Sequence, residues 1–157
     1  MAAKVKPIPD GFHTVTPYLI VDGAKKVIDF MHYALGAKHD HEPTLRPDGT
    51  IMHATLKIGD SMVMISDASE HAKAAPVMLY LYVPNVDTAF KRALDAGAKA
   101  VQPVTDMFWG DRIAQIADPS GHQWTLATHK EDLTPEEIGR RQKDFLATMG
   151  AQQKKKK

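Results

Sequence analysis

The sequence predicts an α+β fold: two β-α-β-β-β modules in tandem, followed by a C-terminal helix. Three observations predict it. Tyr18, Leu19 and Val21 recur as Tyr80, Leu81 and Val83, 62 positions later, and Gly36-Ala37-Lys38 recurs as Gly97-Ala98-Lys99, 61 positions later. Inside each copy the apolar spacing has the helical period and changes to alternation after the glycine. A chain of 157 residues, 43% hydrophobic and 25% charged, suits one domain with a real core.

The elements follow in order. "PYLIV" reads as a strand and "GAKKVIDFMHYAL" as a helix, with Ala24, Val27, Ile28, Met31 and Leu35 on one face. In the second copy, "LYLYV" is the strand, and Val86, Ala89, Phe90, Ala93 and Leu94 form the helix face. Asp22 and Asn85 are placed to cap the two helices, and Gly36 and Gly97 to end them. "KHDHEPTL" reads as an edge strand, "PDGT" as a turn, and "TIMHATLKIGDSMVMISD" as two strands joined at Gly59-Asp60. The matching set is "KAVQPV", "DRIAQIA", the Asp118–Gly121 turn and "HQWTLATH". Thr134 as cap, Pro135 in the first turn and Glu137 completing a capping box open the last helix. These signals place module one at about 12–70, module two at about 75–129, the helix at about 134–150 and a disordered lysine tail at 151–157.

Charge and composition narrow the functions. The formal charge is +1, but four of the 20 basic residues are Lys154–Lys157, and the remaining 16 face 19 acidic residues. The body is therefore mildly acidic and no nucleic-acid partner is expected. No run reaches the roughly 18 apolar residues of a membrane helix, so no membrane partner is expected either. The N-terminus lacks the apolar centre of a signal peptide. Zero cysteines exclude disulfides, a thiol nucleophile and a thiolate metal site, and fit a cytoplasmic location.

The doubled module, with "VTPYLIVDGA", "HATLKIGDSMVMISD" and "WGDRIAQIADPSGHQWTLATH", resembles the glyoxalase/bleomycin-resistance (vicinal oxygen chelate) superfamily, in its bacterial glyoxalase-like branch. The resemblance covers about Thr14 to His129. It implies that the strands curve into a half-barrel trough and that the protein is a homodimer. In metal-using members, four positions face one cavity, and the resemblance places them at Thr16, Met64, Met78 and Thr125. The repeat gives the same pairing, because 16 matches 78 and 64 matches 125. Two threonines and two thioethers lack the imidazole and carboxylate donors that such metals need. A metal-free site with no cofactor is therefore expected.

Strand alternation separates the two sheet faces. Val15, Leu19, Val21, Val63, Ile65, Leu79, Leu81, Val83, Trp124 and Leu126 are assigned to the helix-packed face. Thr16, Tyr18, His53, Thr55, Met62, Met64, Met78, Tyr80, Gln123 and Thr125 are assigned to the trough, a lining suited to an uncharged or weakly polar organic ligand. His53 is the general acid/base candidate there, without an evident orienting carboxylate. Asp67 ends its strand nearby but alternates to the helix side. "MFWGDR" (Met107–Arg112) is a loop that can lie over the trough, with Trp109 stacking on a planar ligand and Arg112 meeting an anionic group. Alternatively, Trp109 buries an edge at a dimer contact and Arg112 pairs with Asp111 or Asp118. His39, His41, His122 and His129 read as surface or turn residues.

Metal-free binding of a small organic molecule, of a sequestering or resistance type, follows from this lining. A metal-independent lyase or isomerase using His53 with Tyr18 or Tyr80 is the alternative. A metal-dependent glyoxalase-like lyase or dioxygenase returns only if the strand register is misread. A sink for a basic drug ranks last, because the expected trough carries little acid. Ile138, Phe145, Leu146 and Met149 give the C-terminal helix an apolar stripe for the expected dimer.

Overall fold

The computed structural model describes residues 5–154. Module one runs β1 (Tyr18–Val21), α1 (Ala24–Leu35), β2 (Lys38–His39), β3 (Thr44–Leu45), β4 (Ile51–Ile58) and β5 (Ser61–Asp67). Module two runs β6 (Met78–Tyr82), α2 (Val86–Asp95), β7 (Lys99–Asp106), β8 (Asp111–Ala117) and β9 (Gln123–His129), and α3 (Pro135–Lys154) follows. The mixed α+β architecture therefore consists of two curved open sheets and three helices, as the repeat predicts. Sheet one has the order β1-β5-β4-β2, with β3 also on β4, and sheet two the order β6-β9-β8-β7. In each module the first and last strands run parallel, Tyr18 beside Met64 and Tyr80 beside Thr125. The same 62- and 61-residue offsets thus appear in the strand register.

One core serves both modules. Leu19, Val21, Val63, Ile65, Trp124 and Leu126 are buried in a cluster with the inner faces of α1 and α2, while Leu79, Leu81 and Val83 pack against it half-buried. Phe30 of α1 meets Trp124 of β9, with ring centroids 6.5 Å apart. Burial of side chains this large supplies about 1.5–3 kcal/mol each. Asp118 fixes the strand that carries Trp124. Its carboxylate accepts from the Ser120 and His122 backbone N–H groups and, at 3.1 Å, from the Trp124 indole N–H. The D-P-S-G stretch is therefore a structural turn that holds a core indole.

Several local expectations change. Val15 is 82% exposed, because it precedes β1 and lies outside the alternation of that strand. Asp22 does not cap α1. Gly23 is the cap residue, and Asp67 of β5 accepts from Ala24 N–H at 2.8 Å and from Ile51 N–H at 2.7 Å. Asn85 does cap α2, accepting from Thr88 N–H at 3.0 Å. The edge strand over 38–45 splits into two short pieces on β4, and Pro103 sits in edge strand β7 where the register slips. Only half of the capping box forms. Thr134 Oγ1 accepts from Glu137 N–H, but the Glu137 carboxylate turns to Arg140 and Arg141. The helix continues past Gly150 to Lys154, so residues 151–154 are helical rather than disordered, and the tail expectation for 155–157 lies outside the described residues.

Candidate functional site

Opposite the helices, each sheet presents an open face, and the register names its residues. In module one Thr55 and Tyr18 both pair with Met64, and Lys57 pairs with Met62. These residues and His53 therefore point to the same side. The structure brings His53, Tyr18 and Thr55 together: His53 Nε2 lies 3.2 Å from Thr55 Oγ1, and Nδ1 lies 3.4 Å from the Tyr18 hydroxyl at the long limit of a hydrogen bond. The Tyr18 and His53 rings meet edge to face at 5.6 Å. Both imidazole nitrogens face hydroxyls.

A carboxylate–imidazole pair with a buried acid is in module two. On the side away from the helices Met78, Gln123 and Ala117 align, as do Tyr80, Thr125 and Gln115, and then Tyr82, Ala127 and Ile113. Thr125, Ala127 and Ile113 are buried, as are Thr55 and Met62 in module one, so the expected trough residues Thr55, Met62 and Thr125 present little surface to a ligand. The next step pairs Asp111 with His129. Asp111 is 3% exposed, and it collects donors. Its Oδ2 accepts from Tyr80 and Tyr82 hydroxyls at 3.1 and 2.9 Å, and its Oδ1 faces His129 Nδ1 at 2.8 Å. His129 Nε2 faces Asp132 at 2.9 Å. Burial alone would raise the Asp111 carboxyl, but hydrogen bonds from His129, Tyr82, Tyr80 and Trp109 outweigh it and hold the group below the usual carboxylate range. Burial first, and the Asp111 hydrogen bond second, push the Tyr80 phenol up to about 12. Hydrogen bonds to Asp111 and Asp132 raise His129, which favours the imidazolium. Arg112 lies on the opposite side of β8 from this cluster.

Other expectations are corrected by the same register. Arg112 alternates with Asp111 and points to the helix side, where it donates to Asp87 at the start of α2 and to Asp106. It pairs with acids, as the alternative reading held, but with neither Asp111 nor Asp118. His129 belongs to the Asp111 cluster rather than to the plain surface, and His122 is buried, its Nδ1 accepting from Val77 N–H at 3.4 Å. The "MFWG" segment is a closed turn between β7 and β8, with Gly110 N–H donating to Met107 C=O. Trp109 is held within it against Phe108, and Phe108 touches Phe145 of α3 at 5.3 Å. Alternation in "DRIAQIA" could have found Asp111 and Gln115, since Thr125 faces Gln115 across the ladder.

A cleft of about 760 Å³ opens between the modules, bounded by the segment before β1, the β4–β5 turn, β6 and the start of α2. Met62 and Tyr80 line it, together with Tyr82, whereas His53 lies outside it. The Asp111-linked tyrosines are therefore where the open face and the cleft adjoin.

The four positions tied to metal ligation do not form a ligand set. Thr16 lies before β1, and its hydroxyl donates to the His13 carbonyl. Met64 and Thr125 sit in matching registers, and Met78 is 63% exposed at the start of β6. Hydroxyls and thioethers do not fit a divalent cation of the imidazole–carboxylate class. Among the described residues no three histidine, aspartate or glutamate side chains converge on one point. Asp111 and Asp132 lie on opposite nitrogens of His129.

The family model described as "Glyoxalase/Bleomycin resistance protein/Dioxygenase superfamily" matches residues 11–126, most of the chain. The chain belongs to that superfamily. An uncharacterized protein of Mycobacterium bovis is 35% identical to this superfamily member over 149 residues, covering 88% of this chain and 93% of its own. A Mycobacterium tuberculosis counterpart, also uncharacterized, has the same identity over 88% of this chain and 84% of its own. Among solved structures, TioX from Micromonospora is 27% identical, with a TM-score of 0.63 over 74% of this chain and 98% of TioX. A glyoxalase/bleomycin resistance protein/dioxygenase family enzyme from Burkholderia phytofirmans shares the fold, with a TM-score of 0.59 at 13% identity over 73% of this chain and 96% of its own.

Proposed function

We propose that this superfamily member binds a small organic molecule without a metal, where the open face of module two meets the inter-module cleft. The observation that carries the reading is the exposure of large amphipathic side chains, Tyr18, Met78, Tyr80 and Tyr82, on these sheet faces, with Tyr80 and Tyr82 also lining the cleft of about 760 Å³. Such a lining suits a ligand with a sizeable apolar body and few polar points. A sequestering or resistance-type role fits a face whose hydroxyls and imidazole partner one another. The test is native mass spectrometry of protein purified without chelators. A retained organic mass is the supporting result. Stoichiometric binding of Zn²⁺, Ni²⁺, Fe²⁺ or Mn²⁺ at these faces would overturn the metal-free reading.

The proximity of His53 to Tyr18 supports a second reading, a metal-independent lyase or isomerase. A His53→Ala variant that binds an identified ligand but no longer converts it would favour the enzyme. Unchanged behaviour would remove it. A cytoplasmic homodimer belongs to the same proposal: Phe145, Leu146 and Met149 of α3 remain exposed, an apolar stripe that a second copy would cover. Light scattering that gives a monomer at micromolar concentration removes the dimer. No helix among the described residues is long and apolar enough to cross a membrane.

A further inference from the structure

We propose that Tyr80 and Tyr82, backed by Asp111, form a recognition site for an organic ammonium group. This inference rests on the small-molecule reading above and names the class of ligand. Three observations support it independently.

The first is the direction of the hydroxyls. Both phenols donate to one oxygen of a buried carboxylate, so their protons are spent inward. Their remaining lone pairs accept only from a donor, which disfavours a carboxylate or phosphate ligand. A phenol hydrogen-bonded to an anion is also polarised toward phenolate, which makes its ring more electron-rich.

The second is the exposure of the rings. Tyr80 and Tyr82 are 46% and 66% exposed, although the acid they serve is 3% exposed. Their centroids stand 5.4 Å apart with the planes tilted by 56°, making a two-walled corner. A cation seated there lies within cation–π range, about 6 Å, of both rings.

The third is the local charge. A buried carboxylate, Asp111, lies directly behind both phenols, and the exposed Asp132 on the far nitrogen of His129 offsets that imidazole when it carries a proton. Arg112 is on the other side of the sheet and paired with Asp87 and Asp106, while Arg92 keeps its charge at the cleft with its Nε bonded to the Ala34 carbonyl. Expelling water around an ammonium group is costly unless π faces and acceptors replace it, and this corner offers both.

The test uses the full chain, with choline and its neutral isostere 3,3-dimethylbutan-1-ol as probes, followed by amide chemical shifts. Choline should shift the resonances of Tyr80, Tyr82 and His129 and bind about tenfold tighter than the alcohol, the scale of one desolvated cation–π contact. Tyr82→Leu should abolish that preference, while Tyr82→Phe should keep much of it, and the exposure of Tyr82 makes both variants tolerable to the fold. Equal affinity for the alcohol overturns the cation preference but leaves small-molecule binding standing. An unchanged preference in Tyr82→Leu overturns the assigned site. If neither probe shifts these residues at millimolar concentration, the ammonium site is overturned, and the native mass spectrum alone then decides the wider reading.

Discussion

Replacing Asp111 with Asn keeps the shape of the side chain and removes the charge on which four neighbours depend. One amide oxygen can still face His129, but the NH₂ group then points at two phenol donors, both bonded to Oδ2 in the native chain. Hydrogen bonds to a charged acceptor are worth about 1.5–3 kcal/mol each. Both tyrosines are exposed and recover water, which lowers the loss for the pair to about 2–3 kcal/mol. For a chain of this size that is a fall in Tm of roughly 4–12 °C. The pH dependence has a definite sign. Asp111 is held below the ordinary carboxylate value of 3.8, so its contribution is present above that value and is lost as pH falls through the lower folded one. His129 is raised above 6.5, so its contribution is present below 6.5 and is lost as pH rises through the folded value. The difference in Tm between native protein and Asp111→Asn should therefore be largest between about pH 4 and 6.5 and shrink on the alkaline side. Thermal denaturation across pH measures the difference, and proton NMR of His129 should show its midpoint moving down in the variant. An unmoved midpoint, or a Tm loss that does not change with pH, would refute the cluster as drawn.

Three further variants have defined outcomes. Gly110→Ala should cost about 2–4 kcal/mol, since φ is +99° and an added Cβ would collide with the Glu131 carbonyl oxygen. Gly49→Ala, with positive φ but open space around it, should cost about 1 kcal/mol, and equal Tm losses for the two would contradict the contact. Arg112→Ala should change affinity for any ligand by less than about twofold, because its fork faces Asp87 and Asp106 behind the sheet. A loss beyond tenfold in calorimetry would return Arg112 to the site.

The order of elements was legible because each copy repeats its own apolar period, and Tyr18 and Tyr80 fall on matching strands. Core-face assignment matched the structure where alternation ran inside a strand, as at Leu19 and Trp124. It failed at Val15, where the strand has not yet begun. The candidate site was legible only in part. Tyr80 was visible, but Asp111 looked like a loop acid and His129 like a strand end. Their meeting depends on the β8–β9 register, which sets two residues 18 positions apart side by side. The same long-range geometry took α1's cap from Asp67, which alternation had sent to the helix side, rather than from adjacent Asp22. Local signals rank nearby partners first, and the sheet brings distant ones closer.

The chain has two tryptophans, and the fold puts them in different surroundings. Trp124 is fully buried at the seam of the modules, with its indole N–H held by Asp118. Trp109 is half-buried in the turn beside Asp111. Their emission therefore divides into two optical channels. The buried indole stays dry until the shared core opens, while the other senses the electrostatics around the tyrosine corner. A single fluorescence trace can then separate occupancy of the open face from global unfolding, with no label added to the chain.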